Sequence, residues 1–237
     1  MLFALLASGI SYAWLYSSRN LDNLGVIQAP VRLELRAGAL ESISQFDLGE
    51  IDASAEGHCK NYVFGVYGDT GLQYKIQLAY TTNIPFTYQI FKAEQAESER
   101  KGQVADVIYR SHDTENSKDY YYYKTDALPH SVLNQNGTVA NSTGNYHNLT
   151  YGTGYQDASA YSKVQKNAEP MYWQTSSLYS LGGNSESIKI GESSIDYYIL
   201  TVSWTEAQLQ SGEISNNKET DLLYLTIGQE KNGDEKN

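Results

Sequence analysis

The sequence predicts an all-β protein: an antiparallel β-sandwich, jelly-roll or immunoglobulin-like, with short helical insertions and one long polar loop. Three observations carry that expectation. Apolar and polar residues alternate with a period of two in one segment after another, the signature of strands with one buried and one wet face. Turn-forming Gly, Asn, Asp and Ser separate these segments, and no regular alternation of strands with helices calls for a parallel sheet. The composition also suits strands, with 21 Tyr, 5 Phe and 3 Trp among 237 residues. One β-domain over residues 31–228 accounts for this length.

Taken in order, Leu2–Tyr16 (LFALLASGISYAWLY) is an uncharged apolar run of 15 residues. A membrane-spanning helix needs ~20, whereas this length matches the core of a secretory signal. Residues 1–16 are therefore read as a signal-peptide core or N-terminal anchor, with cleavage near Ala13, and residues 17–30 as a polar spacer; a buried N-terminal element is the alternative. Val31, Leu33 and Leu35 then alternate with Arg32, Glu34 and Arg36 as a first strand. Tyr62–Tyr67 forms the next and closes at Gly68-Asp69-Thr70-Gly71. Leu72, Tyr74, Ile76, Leu78 and Tyr80 alternate with polar residues, and Ile84, Phe86, Tyr88 and Ile90 repeat the pattern. These two runs read as a hairpin, with Pro85 marking an edge or bulge.

Lys92–Gln103 is charged and Ala/Glu-rich and reads as a short exposed helix or solvated loop. Val104–Tyr109 reads as a strand, followed by the tetrad Tyr120–Tyr123. Residues 127–157 have little apolar period and read as a long surface loop. Three Asn-X-Ser/Thr triplets, at Asn136, Asn141 and Asn148, crowd into it. Ala158–Ala168 suggests one or two helical turns before Pro170. Met171–Trp173, Ser187–Ile190, Ile195–Trp204 and Asp221–Ile227 read as strands, Thr205–Ser211 as a helical turn, and residues 229–237 as a polar tail. The total is eight or nine strands.

Charge and motifs exclude several chemistries. With 17 Lys and Arg against 28 Asp and Glu, the net charge is −11, which disfavours nucleic acid as a partner. The single Cys59 excludes a disulfide framework and a multi-cysteine metal site. His58, His112, His130 and His147 lack the spacing of a zinc-protease motif, and no phosphate-binding glycine loop or nucleophile elbow is present. No catalytic residue, metal ligand or cofactor is assigned. Cys59, between His58 and Lys60, is read as passive despite its cationic neighbours. The tetrad Tyr120, Tyr121, Tyr122 and Tyr123 is the candidate aromatic surface for a ligand or partner, since a strand would place two rings on each face.

The leader ends in Ser11-Tyr12-Ala13-Trp14-Leu15-Tyr16, which resembles the junction of signal sequences processed by the SipW-type peptidase of Gram-positive bacteria. Val31–Leu40 resembles the first mature strand of such exported proteins. Tyr62–Ala93 and the closing Lys218-Glu219-Thr220-Asp221 resemble blocks of the same group. The chain is thus similar to the TasA/camelysin family of biofilm-matrix and cell-surface proteins. That resemblance implies a secreted, jelly-roll-like sandwich that assembles into fibres, each subunit donating an N-terminal strand to its neighbour. Ser17–Arg36 would be the donor, with Val31, Leu33 and Leu35 filling the acceptor groove. The same residues read equally well as the first strand of their own subunit. The peptidase activity attributed to camelysins is not carried over, because no matching zinc motif is present.

The functional expectation is a non-enzymatic, secreted cell-surface or biofilm-matrix structural protein whose partner is itself or another matrix component. The alternative is a secreted carbohydrate-binding or adhesion module using the exposed tyrosines. A secreted hydrolase with a pair of carboxylates ranks third.

Overall fold

The computed structural model describes residues 32–41, 48–81, 84–112, 117–133, 171–183, 188–212, 214 and 223–229. The expected leader, the spacer, Val31, the three Asn triplets, the helical turns at 158–168 and residues 230–237 of the tail lie outside these. All described residues belong to one compact unit, 31–237.

The fold is an all-β sandwich of two curled antiparallel sheets. One sheet has six strands in the order β1 (Leu33–Arg36), β2 (Cys59–Thr70), β10 (Lys189–Ser203), β4 (Thr87–Ala96), β6 (Asp119–Ala127) and β5 (Val107–Arg110). The other runs β11 (Leu223–Gln229), β3 (Gln73–Tyr80), β8 (Met171–Thr175) and β7 (His130–Leu133), with the two-residue β9 (Tyr179–Ser180) also pairing to β3. Each strand's alternation decides which side chains meet between the sheets. From β3 come Tyr74, Ile76, Leu78 and Tyr80; from β10, Tyr198, Leu200 and Val202; from β2, Phe64 and Val66; from β8, Met171 and Trp173. Gln73, Lys75 and Gln77 of β3 lie on its other face, as the period-two pattern requires.

Four sequence expectations are corrected. β3 and β4 do not form a hairpin: they lie in different sheets, and their rings meet across the core, Tyr80 and Tyr88 being 4.5 Å apart. Alternation specifies the buried face of a strand and not its neighbour, which is why the sequence misled here. Lys92–Ala96 belongs to β4 and is neither helix nor loop; its Ala and Glu residues are carried by pairing to β6. The polar loop expected over residues 127–157 is overturned at its start, because Ala127 ends β6 and His130–Leu133 forms β7; residues 134–157 lie outside the described residues. Eleven strands are described where eight or nine were expected. The helical turn near Thr205 is present as α1 (Glu206–Gln210), held by a reciprocal capping box between Thr205 and Gln208.

The six-stranded sheet buries its second face as well. Val63, Tyr122 and Ile199 form a separate cluster there, flanked by Ala93, Val107, Tyr109, Tyr120 and Tyr197. The sheet curls until its edge strand β5 approaches β2 and the 3₁₀ turn Gly38–Leu40 that follows β1. A polar clasp closes the curl. The Glu41 carboxylate accepts from the Tyr109 hydroxyl and the His112 backbone N–H, and pairs with His112 Nδ1 at 2.8 Å. Burial works against its ionisation, but these bonds outweigh it and hold the Glu41 pKa below the usual range.

The turn is packed too closely for a side chain at Gly38, where an added Cβ would lie 2.5 Å from the Tyr109 ring. Gly38→Ala should therefore lower stability by ~1–3 kcal/mol, the usual cost of overpacking, measured by urea denaturation. An unchanged midpoint would mean that the curl is not closed in solution.

Candidate functional site

β1 is the outermost strand of its sheet. Leu33–Arg36 pair with Gly68–Gly65 of β2, and no described strand pairs with the other side of β1. Leu33 and Leu35 are half-buried and pack on the central core of their own chain. Arg32, Glu34 and Arg36 share the opposite face. Arg32 Nε lies 2.9 Å from Glu34, Arg36 pairs with the same carboxylate, and both guanidinium groups sit over the Tyr67 ring, at 4.6 and 5.0 Å. Asp69 fixes the start of the strand. It is 5% exposed, and its carboxylate accepts from the backbone N–H groups of Arg32 at 3.2 Å and Gly191 at 3.3 Å. Beyond the strand, Ala39 and Leu40 both adopt the left-handed region, with φ of +57° and +65°. Val31, the third expected donor residue, lies outside the described residues.

The tyrosine tetrad is corrected as an exposed surface. Tyr122 and Tyr123 are adjacent on β6, point to opposite faces, and are both fully buried. The Tyr122 hydroxyl accepts from Gln95 Nε2 at 2.7 Å and from the Ala39 N–H at 3.2 Å. Tyr123 accepts from the Arg100 N–H at 2.7 Å, with the Arg100 guanidinium 4.3 Å above its ring. Tyr120 and Tyr121 are half-buried. The expectation of free rings assumed one wet face; the curl of the sheet covers the face that would have been wet.

A second site comes from residues the sequence gave no reason to group. Where β9 and the turn after it face β10 and β4, there is an open pocket of about 330 Å³, lined among others by Lys92, Leu178, Tyr179, Ser180, Asp196 and Tyr198. Asp196 and Tyr198 project from the same face of β10 as Leu200, and Tyr198 pairs with Lys92 across the strands. The Asp196 carboxylate accepts from the Tyr74 hydroxyl at 2.8 Å and from the Gly182 N–H at 3.3 Å. Tyr74 and Tyr198 are hydroxyl to hydroxyl. Since the one phenolic proton of Tyr74 goes to Asp196, Tyr198 donates to Tyr74, giving a directed chain from Tyr198 to Tyr74 to Asp196. Burial pushes the Asp196 carboxyl above its usual range, against the opposing bonds from Tyr74 and Gly182 and the charge of Lys92. Burial also drives the Tyr74 and Tyr198 phenols well up, so both stay neutral.

The remaining candidates are scattered. His58 Nε2 lies 3.1 Å from Glu206, His112 serves the Glu41 clasp, and His130 stacks on Trp173 at 4.6 Å; His147 lies outside the described residues. Cys59 is half-buried at the start of β2. Among the described residues, no group of three or more His, Cys, Asp or Glu is placed to hold a metal ion, and no helix is long and apolar enough to cross a membrane. A glycosidase needs two carboxyl groups within ~10 Å; Asp196 is the one carboxylate in the described lining of the pocket. No family model, curated protein or solved structure matches this chain.

Because folding raises the pKa of Asp196, the folded state binds more protons than the unfolded state between the ordinary carboxylate value and the raised one. Its contribution is most favourable below that window and is lost as pH rises through the folded value. Asp196→Asn keeps an acceptor for Tyr74 and removes the charge. The variant should therefore gain on the wild type as pH climbs from 4 to 7, and the gain should vanish at the acid end, read from urea midpoints. A constant difference across pH would show that Asp196 does not titrate in this site.

Proposed function

We propose that this chain is a non-enzymatic, exported cell-surface or matrix protein that assembles with copies of itself by exchanging β1. The observation that supports it best is the place of β1. Among the described residues it is N-terminal to the rest of the sandwich, lies at the edge of its sheet, and pairs with β2 through four residues. An edge strand presents unpaired N–H and C=O groups, so the same surface that holds β1 of one copy can hold β1 of another. In the exchanged form Leu33 and Leu35 occupy the positions they fill now, so the pairing energy is conserved. The left-handed Ala39 and Leu40 lie where the chain must straighten for exchange, and each costs ~1–2 kcal/mol that straightening releases. The resemblance of the leader and first strand to the TasA/camelysin group agrees with this reading, as does the expectation of export.

Net charge opposes assembly at neutral pH. At −11 the copies repel one another, and acid reduces that repulsion by protonating carboxylates. The test uses protein beginning near Trp14, followed by light scattering and negative-stain microscopy from pH 4 to 8. The expected result is oligomers or filaments that grow with concentration and form more readily at pH 4. Gly68→Ala should prevent them, because its Cβ would meet the Arg32 carbonyl oxygen at 2.1 Å in either the resident or the exchanged strand. It should also lower monomer stability by ~3 kcal/mol through overpacking against the backbone. Monomer at high concentration across the whole pH range overturns the proposal. N-terminal sequencing of protein from culture medium tests export separately.

A further inference from the structure

We propose that the pocket between β9 and the β10–β4 pair is a binding site for a neutral polyhydroxylated ring, a mono- or disaccharide held between Lys92, Tyr179 and Asp196. The site is distinct from β1 and from the tyrosine tetrad, and nothing in it depends on assembly.

The first argument is unused hydrogen-bonding capacity. Each Asp196 oxygen accepts one bond from the protein, Oδ2 from Tyr74 and Oδ1 from Gly182, which leaves a further acceptor position on each. Lys92 Nζ has three donors and makes no hydrogen bond or ion pair among the described residues; its neighbour is the Tyr179 ring, 5.4 Å away. Ser180 Oγ is buried without any partner. Being closed to solvent, that hydroxyl is closed to a ligand in the open pocket as well, so the polar contacts fall to Lys92 and Asp196. Acceptors on Asp196 and donors on Lys92 complement a molecule that carries several hydroxyls, each both donor and acceptor.

Charge and shape narrow the class. The described lining contains one cation, Lys92, and one anion, Asp196. An anionic ligand would face Asp196 and a cationic one Lys92, whereas an uncharged polyol uses both. Tyr179 and Leu178, the latter 37% exposed, give the β9 wall an apolar surface of the kind on which the C–H face of a sugar ring packs. A volume of about 330 Å³ lies at the small end of the range for small-molecule pockets, room for one or two rings. The polar groups are also pre-set. Asp196, Tyr198 and Lys92 stand on neighbouring central strands, and the directed chain from Tyr198 through Tyr74 fixes the carboxylate.

The test is calorimetric titration and ¹⁵N-correlated NMR of the whole chain with D-glucose, D-galactose, N-acetylglucosamine, cellobiose and lactose, using glucuronate and glucosamine as charged comparators. At least one neutral sugar should bind with a millimolar Kd and shift the amides of Lys92, Tyr179, Ser180 and Asp196. Lys92→Met and Asp196→Asn should each weaken that binding about tenfold or more, while Tyr120→Phe leaves it unchanged. The amide map on wild-type protein stands even where a variant fails to fold. No shift with any neutral sugar at ~100 mM, shifts that map elsewhere, or tighter binding of a charged comparator than of every neutral sugar overturns the proposal.

Discussion

The structure depends on one constraint: the six-stranded sheet has no wet face at its centre. β10 carries Tyr198, Leu200 and Val202 on one side and Tyr197 and Ile199 on the other, all of them buried or half-buried. β2 does the same with Phe64 and Val66 on one side and Val63 on the other. A strand that is apolar on both sides needs two covers, because leaving either in water forfeits ~1.5–3 kcal/mol for each large side chain. The five-stranded sheet supplies one cover. The other comes from the six-stranded sheet itself, which bends until β5 and the turn after β1 close over Tyr122, Val63 and Ile199. The curl, the clasp at Glu41 and the burial of the tyrosine tetrad all follow from that demand.

The same constraint separates what was legible in the sequence from what was not. Period-two alternation located β1 and β3, the density of Tyr, Ile, Val and Trp located the second half of β10, and the helical turn read at Thr205–Ser211 coincides with α1. Each of these signals is local. The pairing of β3 with β11 and β8, and not with β4, joins segments distant in sequence, and a local pattern carries no record of it. Tyr120–Tyr123 misled for a related reason: alternation distinguishes two faces of a strand, but only the curl decides that both are covered. Asp196 was invisible as a site residue. It sits in Ile195–Trp204, the most strand-like run in the chain, and its significance comes from Tyr74, 122 residues away in sequence, and from Lys92 on the neighbouring strand.

The two edges of the six-stranded sheet differ in how they are held. β5 is tied by the fork of Arg110 on Asp119, at 2.7 and 2.9 Å, and by Tyr109 on Glu41. β1 is tied by half-buried leucines and by Asp69, whose bonds go to the backbone of Arg32 and Gly191. Bonds to backbone N–H groups do not depend on side-chain identity, so Asp69 accepts equally well from the same segment of another copy. The proposed exchange at β1 remakes its pairing with β2 but gives up the Ala39 N–H bond to Tyr122 as the turn straightens, whereas opening β5 breaks both the Arg110–Asp119 fork and the whole β5–β6 ladder. That difference supports the N-terminal edge as the place of the proposed exchange.

Glu41 and Asp196 respond to acid in opposite directions, and their positions give that contrast a structural meaning. The lowered pKa of Glu41 means that its contribution is present above the usual carboxylate range and is lost as pH falls through the folded value. Asp196, with its raised pKa, sheds the cost of a buried charge over the acid side of neutrality. Acid thus loosens the clasp beside the left-handed turn that follows β1, while easing the inter-sheet end around Tyr74 and Tyr198. The central core, built from Phe64, Ile76, Leu78 and Leu200, carries no ionisable group whose protonation would open it. Loss of the Glu41 clasp, beside the hinge of the proposed exchange, therefore falls below the ordinary carboxylate range, whereas the loss of net negative charge begins within it.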